Sequence, residues 1–366
     1  MIWVFFFFGC VSLLFFLPLL PALYEWRKKN DDQPLKVVRE YDGNIHYFAV
    51  RFRHFLNVNF PDFGQGVGSD SEPMKGHLPG GDAYQIVRHD GKPVFAPKEI
   101  DAKASSEVIL ARAPLQISTQ MFFEKEVYAG GGISGGNKIS FRAILADGNI
   151  HLGDHCDIIR WAHSNDSILL GESARLYGRI SAENEIQLRQ NTRFGRMNAP
   201  VIRFGLARKM KHTSESVLQR LHTLAIPDKI IDQALGRWLV GESLTVPTGS
   251  FHRGSLVARK NLTVQSHSVI IGGIKSTGNV RLEGKLRIDG AVVAAGNIYI
   301  GSDCIIKGPI VSEKMIFIET GTVIGSPNCP TTVTAVEMRI EEGVLAHGSV
   351  WAREIGFVSS RRKESA

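Results

Sequence analysis

A step of eighteen residues recurs along the last two-thirds of the chain. Gly278-Asn279-Val280-Arg281-Leu282 returns eighteen residues later as Gly296-Asn297-Ile298-Tyr299-Ile300. The same step reaches back to Asn261-Leu262-Thr263-Val264 and forward to Met315-Ile316-Phe317-Ile318. An earlier block repeats it at Gly148-Asn149-Ile150-His151-Leu152, Ser167-Ile168-Leu169-Leu170 and Glu185-Ile186-Gln187-Leu188. A short fixed period implies a solenoid, in which each coil buries its apolar side chains against its neighbours.

Eighteen divides into three sixes. From Val264, steps of six reach Ile270, Ser276, Leu282, Ile288, Ala294, Ile300, Ile306, Ser312, Ile318 and Ile324, two large residues and then a small one. In the earlier block the walk runs Leu152, Ile158, Ser164, Leu170, Leu176, Ala182, Leu188 and Phe194. An α-helix smears such a period around its surface. A three-sided parallel β-helix accommodates it, with Ile298 and Ile300 inward and Tyr299 outward. Glycines at Gly272, Gly278, Gly284, Gly290, Gly296 and Gly308 mark the expected corners. The expected fold is therefore all-β, a parallel β-helix of about 18 residues per coil. About four coils fall in 138–205 and about six in 248–356, and one coil is lengthened by four residues where Ser326-Pro327-Asn328-Cys329-Pro330 interrupts the pattern. At a strand spacing of about 4.8 Å, ten coils make a rod on the order of 50 Å long.

Two further elements complete the expected layout. Met1 to Leu23 carries no charge and, as a helix, is long enough to span a bilayer. Positive charges follow it at Arg27, Lys28 and Lys29, with Tyr24 and Trp26 as aromatic interface anchors. This implies a single-pass protein of the plasma membrane with its carboxy-terminal domain in the cytoplasm, and the lipid bilayer as a partner. Between the blocks, Thr213-Ser214-Glu215-Ser216 reads as a helix start, and Pro227-Asp228 opens a second helix carrying Ile230, Ile231, Ala234, Leu235, Trp238 and Leu239. The layout is then a transmembrane helix at 1–23, a membrane-proximal region and linker at 24–113, a first β-helix block at 114–205, a helical insertion at 206–245, a second block at 246–356 and a basic tail at 357–366. Within the linker, Phe48, Phe52, Phe55 and Leu56 form an apolar helical stripe. It suits either an anionic leaflet or the flank of the β-helix, and alternation there also partly fits a strand. From Asn57 to about Pro97 the chain reads as loop.

The balance of 43 Lys+Arg against 36 Asp+Glu is mildly basic and scattered, which argues against nucleic acid as a partner. The four cysteines, Cys10, Cys156, Cys304 and Cys329, form no C-x-x-C pair, and Cys156 and Cys304 occupy equivalent packing positions. His151, Asp154 and His155, with His163 nearby, are the one cluster with metal-ligand character, but the strand pattern turns His151 outward and puts His155 at a corner. No catalytic, cofactor-binding or metal residue is singled out. The period of six also resembles the hexapeptide-repeat acyltransferases. For a membrane-tethered enzyme of that class the candidate general bases are His155, His163, His252, His267 and His347.

The final coils, at Ala294-Ala295-Gly296-Asn297-Ile298-Tyr299-Ile300, Cys304-Ile305-Ile306-Lys307-Gly308 and Arg339-Ile340-Glu341-Glu342-Gly343-Val344-Leu345-Ala346-His347-Gly348, resemble the bactofilins, the polymer-forming cytoskeletal proteins of bacteria. That resemblance implies a right-handed β-helix, nucleotide-free assembly with further copies of itself, and a non-catalytic scaffold for envelope or cell-wall-associated morphogenesis proteins. The long amino-terminal region and the insertion depart from the family layout. A β-helix ends in unpaired backbone groups, and the sequence after the last coil offers little to cap them. Trp351, Phe357 and Val358 are the residues expected at an end-to-end contact between molecules.

Overall fold

The computed structural model describes residues 46–60, 74–87, 94–95, 104–206, 221–225, 230–232 and 236–360, with five isolated positions nearer the amino terminus. The chain divides into two compact units, 1–44 and 45–366. In the first, the described positions Trp3, Phe6, Phe7, Phe16 and Leu17 are exposed. The second is a parallel β-solenoid of about 13 turns, about 18 residues per turn, flanked, among the described residues, by one helix.

The inward ladders follow the sequence walk. Ile133, Ile150, Ile168, Ile186 and Ile202 stack in successive turns of the first block, all buried. In the second block Val264, Leu282, Ile300, Ile318, Ile340 and Val358 stack in the same way. Burying each such aliphatic side chain is worth roughly 1.5–3 kcal/mol. The small residues form their own ladders: Ala111, Ala129, Ala146, Ser164 and Ala182 in one block, and Ala258, Ser276, Ala294 and Ser312 in the other. The serines of these ladders satisfy their hydroxyls on the backbone. Ser164 and Ser312 donate to Gly148 O and Gly296 O at 2.8 Å, and each accepts the N–H two residues on. The recurring asparagine has a similar function, since Asn261 and Asn279 accept the N–H of Asn279 and Asn297 in the next turn at 2.9 and 2.8 Å.

Glycine does not take the role expected of it. The left-handed corner is occupied by Gln120, Lys138, His155, Ser173 and Asn191 in the first block and by Gly249, His267, Lys285, Asp303, Gly321 and Gly343 in the second, none of them a glycine expected there from the sequence. Short polar side chains tolerate this conformation better than apolar ones. Gly272, Gly290 and Gly308 answer a different need. A Cβ on Gly290 would lie 2.5 Å from the backbone of Gly272, so neighbouring turns approach too closely for any side chain.

Three expectations are corrected. First, among the described residues no helix is long and apolar enough to cross a membrane, so the transmembrane helix drops out of the fold class. Apart from the five positions above, the 1–23 segment lies outside the described residues, as do Tyr24, Trp26, Arg27, Lys28 and Lys29. Apolar composition meets the length rule for a span without securing an unbroken helix through Pro18 and Pro21. Second, the helix expected after Pro227 is replaced by strands: Ile230–Asp232 pairs antiparallel with Arg237–Val240, which then joins the solenoid against Ser255–Ala258. Trp238 and Val240 are buried there, at strand rather than helix spacing. The start of the helix expected from Thr213 lies outside the described residues, but its far end, expected to carry Leu221 and Leu224, holds instead the strand His222–Thr223, paired in parallel with Ser250–Phe251. Third, the solenoid begins well before 114. Met74–His77 and Ala83–Val87 form an antiparallel hairpin, and the latter strand pairs in parallel with Val108–Ala111. These opening turns advance Tyr84 to Val108 and Val94 to Gln116, steps longer than eighteen, and so the period does not reveal them.

The helix Tyr47–Asn59, here α1, docks on the flank of the first block. Ala49, Phe52 and Leu56 are buried with Val108, Leu110 and Leu145, outward-facing side chains of the solenoid wall. Phe48 stacks on Trp161 with centroids 5.7 Å apart. Arg53 anchors the helix through Asp147 and Asn165, at 2.9 and 2.6 Å. The apolar stripe therefore faces the protein wall.

Candidate functional site

The last strands of the two blocks meet. Arg193–Phe204, which closes the first block, pairs antiparallel with Leu345–Ser359, which closes the second. The register brings together Arg193 and Phe357, Arg196 and Trp351, Met197 and Val350, and Asn198 and Ser349. The backbone ladder includes Asn191 N–H to Val358 O at 2.8 Å and Val358 N–H to Thr192 O at 2.9 Å. One sheet thus runs from the first block into the second, and the two solenoids stand tail to tail within one chain.

Side chains reinforce this junction. Asn198 Nδ2 donates to Ser349 Oγ at 2.8 Å, and His347 Nδ1 lies 2.8 Å from Pro200 O. Arg196 sits over the Trp351 ring at 5.0 Å. Burial and the neighbouring Arg179 charge lower the proton affinity of Arg196. Phe194, Met197, Ile202 and Phe204 are buried, as are Val350 and Val358. The residues expected at a contact between molecules, Trp351, Phe357 and Val358, therefore lie at a contact within one. Val358 ends an inward ladder, Phe357 is half-buried opposite Arg193, and Trp351 is partly exposed beneath Arg196. Sequence reasoning saw unsatisfied edges but had no signal that the chain's own first block would fill them.

The histidines fall into different settings. His155 and His267 are exposed on left-handed corners. His252 is buried against Trp238, with ring centroids 4.3 Å apart, and burial lowers its proton affinity. His151 points outward, as the strand pattern expects, and Asp154 uses its carboxylate to accept Glu172 N–H at 2.7 Å. His163 is buried, and burial together with the Arg53 charge lowers its pKa to about 4. Its neighbours are Ser181, Glu183 and His46 rather than His151 or His155. Cys156 and Cys304 are buried thiols that donate to Gly136 O and Glu283 O, and burial pushes the Cys304 thiol up to about 12.

The class defined by this geometry is a parallel β-solenoid of two opposed blocks. No protein-family model, no curated protein and no solved structure matches the chain.

Proposed function

We propose that the chain is a non-catalytic scaffold of the bactofilin type that associates end to end with further copies of itself. The observation that supports this is the tail-to-tail junction, in which the terminal strands of two solenoid blocks complete one another's backbone hydrogen bonds. An end that joins to its counterpart inside one chain is the kind of surface that joins copies in an assembly. The closing ends are consumed internally, so assembly uses the opening end of the second block. There Leu244–Val246 pairs, among the described residues, only with Leu262–Val264.

The flank is suited to carrying partners. Arg281, Tyr299, Phe317 and Arg339 form an outward ladder across four turns and line a shallow groove of about 620 Å³ with Glu283 and Glu319. Envelope and morphogenesis proteins are the partners proposed for such a surface.

The hydrogen-bond pattern supplies a specific test. Leu244 N–H donates to Asn261 O, and Val246 O accepts Gln265 N–H, so the N–H of Thr245 points away from the solenoid. Thr245→Pro removes that donor while sparing the internal ladder. The purified chain is expected to form concentration-dependent oligomers in sedimentation velocity and rods in negative-stain microscopy, and Thr245→Pro is expected to shorten them. A monomer at all concentrations would refute the reading. Acetyl-CoA binding would point to the acyltransferase class instead.

A further inference from the structure

The start of α1 brings two imidazoles and a carboxylate to one point on the flank of the first block. His46 immediately precedes α1, His163 lies in the strand Asp157–Ser164, and Glu183 follows the strand Arg175–Ala182. His46 Nδ1 is 3.5 Å from Glu183 Oε1, and His163 Nε2 is 3.8 Å from the same oxygen. The three ligand atoms all lie within 4.8 Å of one another, and the two rings meet edge to face with centroids 5.3 Å apart.

These distances can be compared with metal geometry. Tetrahedral zinc with bonds of about 2.0–2.2 Å holds its ligand atoms roughly 3.3–3.5 Å apart. The carboxylate oxygen is already near that separation from both nitrogens, and small side-chain rotations complete the approach. Backbone register secures the deepest ligand, because His163 lies opposite Ser181 in the adjacent turn and its Nδ1 is 2.8 Å from Ser181 Oγ. A proton on Nδ1, donated to Ser181, leaves the Nε2 lone pair directed at the cluster. Metal-bound histidines are commonly oriented in this way. His163 is buried, His46 half-buried and Glu183 exposed, so a fourth position opens to water on the carboxylate side. Arg53, whose charge acts on His163, is engaged by Asp147 and Asn165.

We propose that His46, His163 and Glu183 bind one divalent transition-metal ion of the zinc type, which clasps α1 to the solenoid wall. Two imidazoles and one carboxylate suit zinc, whereas calcium and magnesium require mainly oxygen ligands. The ligands come from the helix start and two successive turns, so the ion adds a cross-link to a helix otherwise held on the wall by packing and by the Arg53 contacts. A simple imidazolium–carboxylate contact is the competing explanation and involves no metal.

The test uses the full chain, stripped with a chelator and then equilibrated with Zn²⁺ at neutral pH. One tightly held equivalent is expected in the wild type. Glu183→Gln and His46→Gln should each weaken it at least tenfold, and circular dichroism should show both variants folded. Hydrogen exchange gives a second readout: Zn²⁺ should slow amide exchange in α1 of the wild type and leave Glu183→Gln unaffected. If the wild type binds no zinc, or if its equivalent is indifferent to both substitutions, the proposal is overturned.

Discussion

Phe194 and Gly356 face each other across the junction between the blocks, and a Cβ on Gly356 would lie 2.1 Å from the Phe194 ring. Phe194 is buried, so its ring cannot swing into solvent to make room. Gly356→Ala is therefore expected to lower stability by about 1–3 kcal/mol through overpacking. Combining it with Phe194→Leu should recover part of that loss, a non-additivity expected of residues in contact. Chemical denaturation of the two single variants and the double variant tests this, and strict additivity would mean that the two positions do not meet.

The inward ladders predict a sharp contrast between adjacent residues. Ile300 stacks between Leu282 and Ile318 in the core, while Tyr299 lies on the outer face beside Arg281 and Phe317. Ile300→Ala should cost about 2–5 kcal/mol by leaving a cavity. Tyr299→Ala should cost about 1 kcal/mol or less, the scale of a cross-strand contact. Equal losses in thermal unfolding would contradict the inward assignment.

Docking of α1 rests on its aromatic stripe. Phe52 is buried between helix and wall, and Phe→Ala at such a site costs roughly 3 kcal/mol or more. That loss should appear locally. Amide exchange in 47–59 is expected to rise in Phe52→Ala while the ladder around Ile300 keeps its protection. Protection unchanged in the helix would show that other contacts hold it.

Burial at His252 makes stability depend on pH. Its folded-state proton affinity is lowered by burial from the ordinary value of 6.5. The unfolded chain then takes up a proton that the folded chain resists, so the stabilisation is fully present above about 6.5 and declines as the pH falls below it. His252→Phe, which keeps a ring against Trp238, should make the denaturation midpoint fall less steeply across that range, leaving the share that buried His163 contributes. An unchanged slope would assign the effect to another group.

Much of the solenoid was legible in the sequence because its physics is local and repeated. Leu282, Ile300 and Ile318 announce their own stacking, and the four-residue bulge that moves Ile316 into register with Met338 is visible from spacing alone. The aromatic stripe of α1 was equally legible, yet it did not specify its partner, because an apolar face has the same periodicity whether it meets lipid or protein. The stretch after Pro227 misled because Ile230 and Trp238 belong to short strands whose flanks share the residue types of a helix. The Gly272–Gly290 contact was also missed, since close backbone approach leaves only a glycine, as a flexible corner does.

The eighteen-residue period, the inward aliphatic walk and the recurrent small corner were determined by sequence alone, because each coil repeats the same constraint on its immediate neighbours. Three things were decided only in the tertiary structure: the pairing of Arg193–Phe204 with Leu345–Ser359, the seating of α1, and the convergence of His46, His163 and Glu183. These relationships join residues more than a hundred positions apart or on unlike elements. No period links such residues; what brings them together is the need to satisfy open strand edges and to cover an apolar wall.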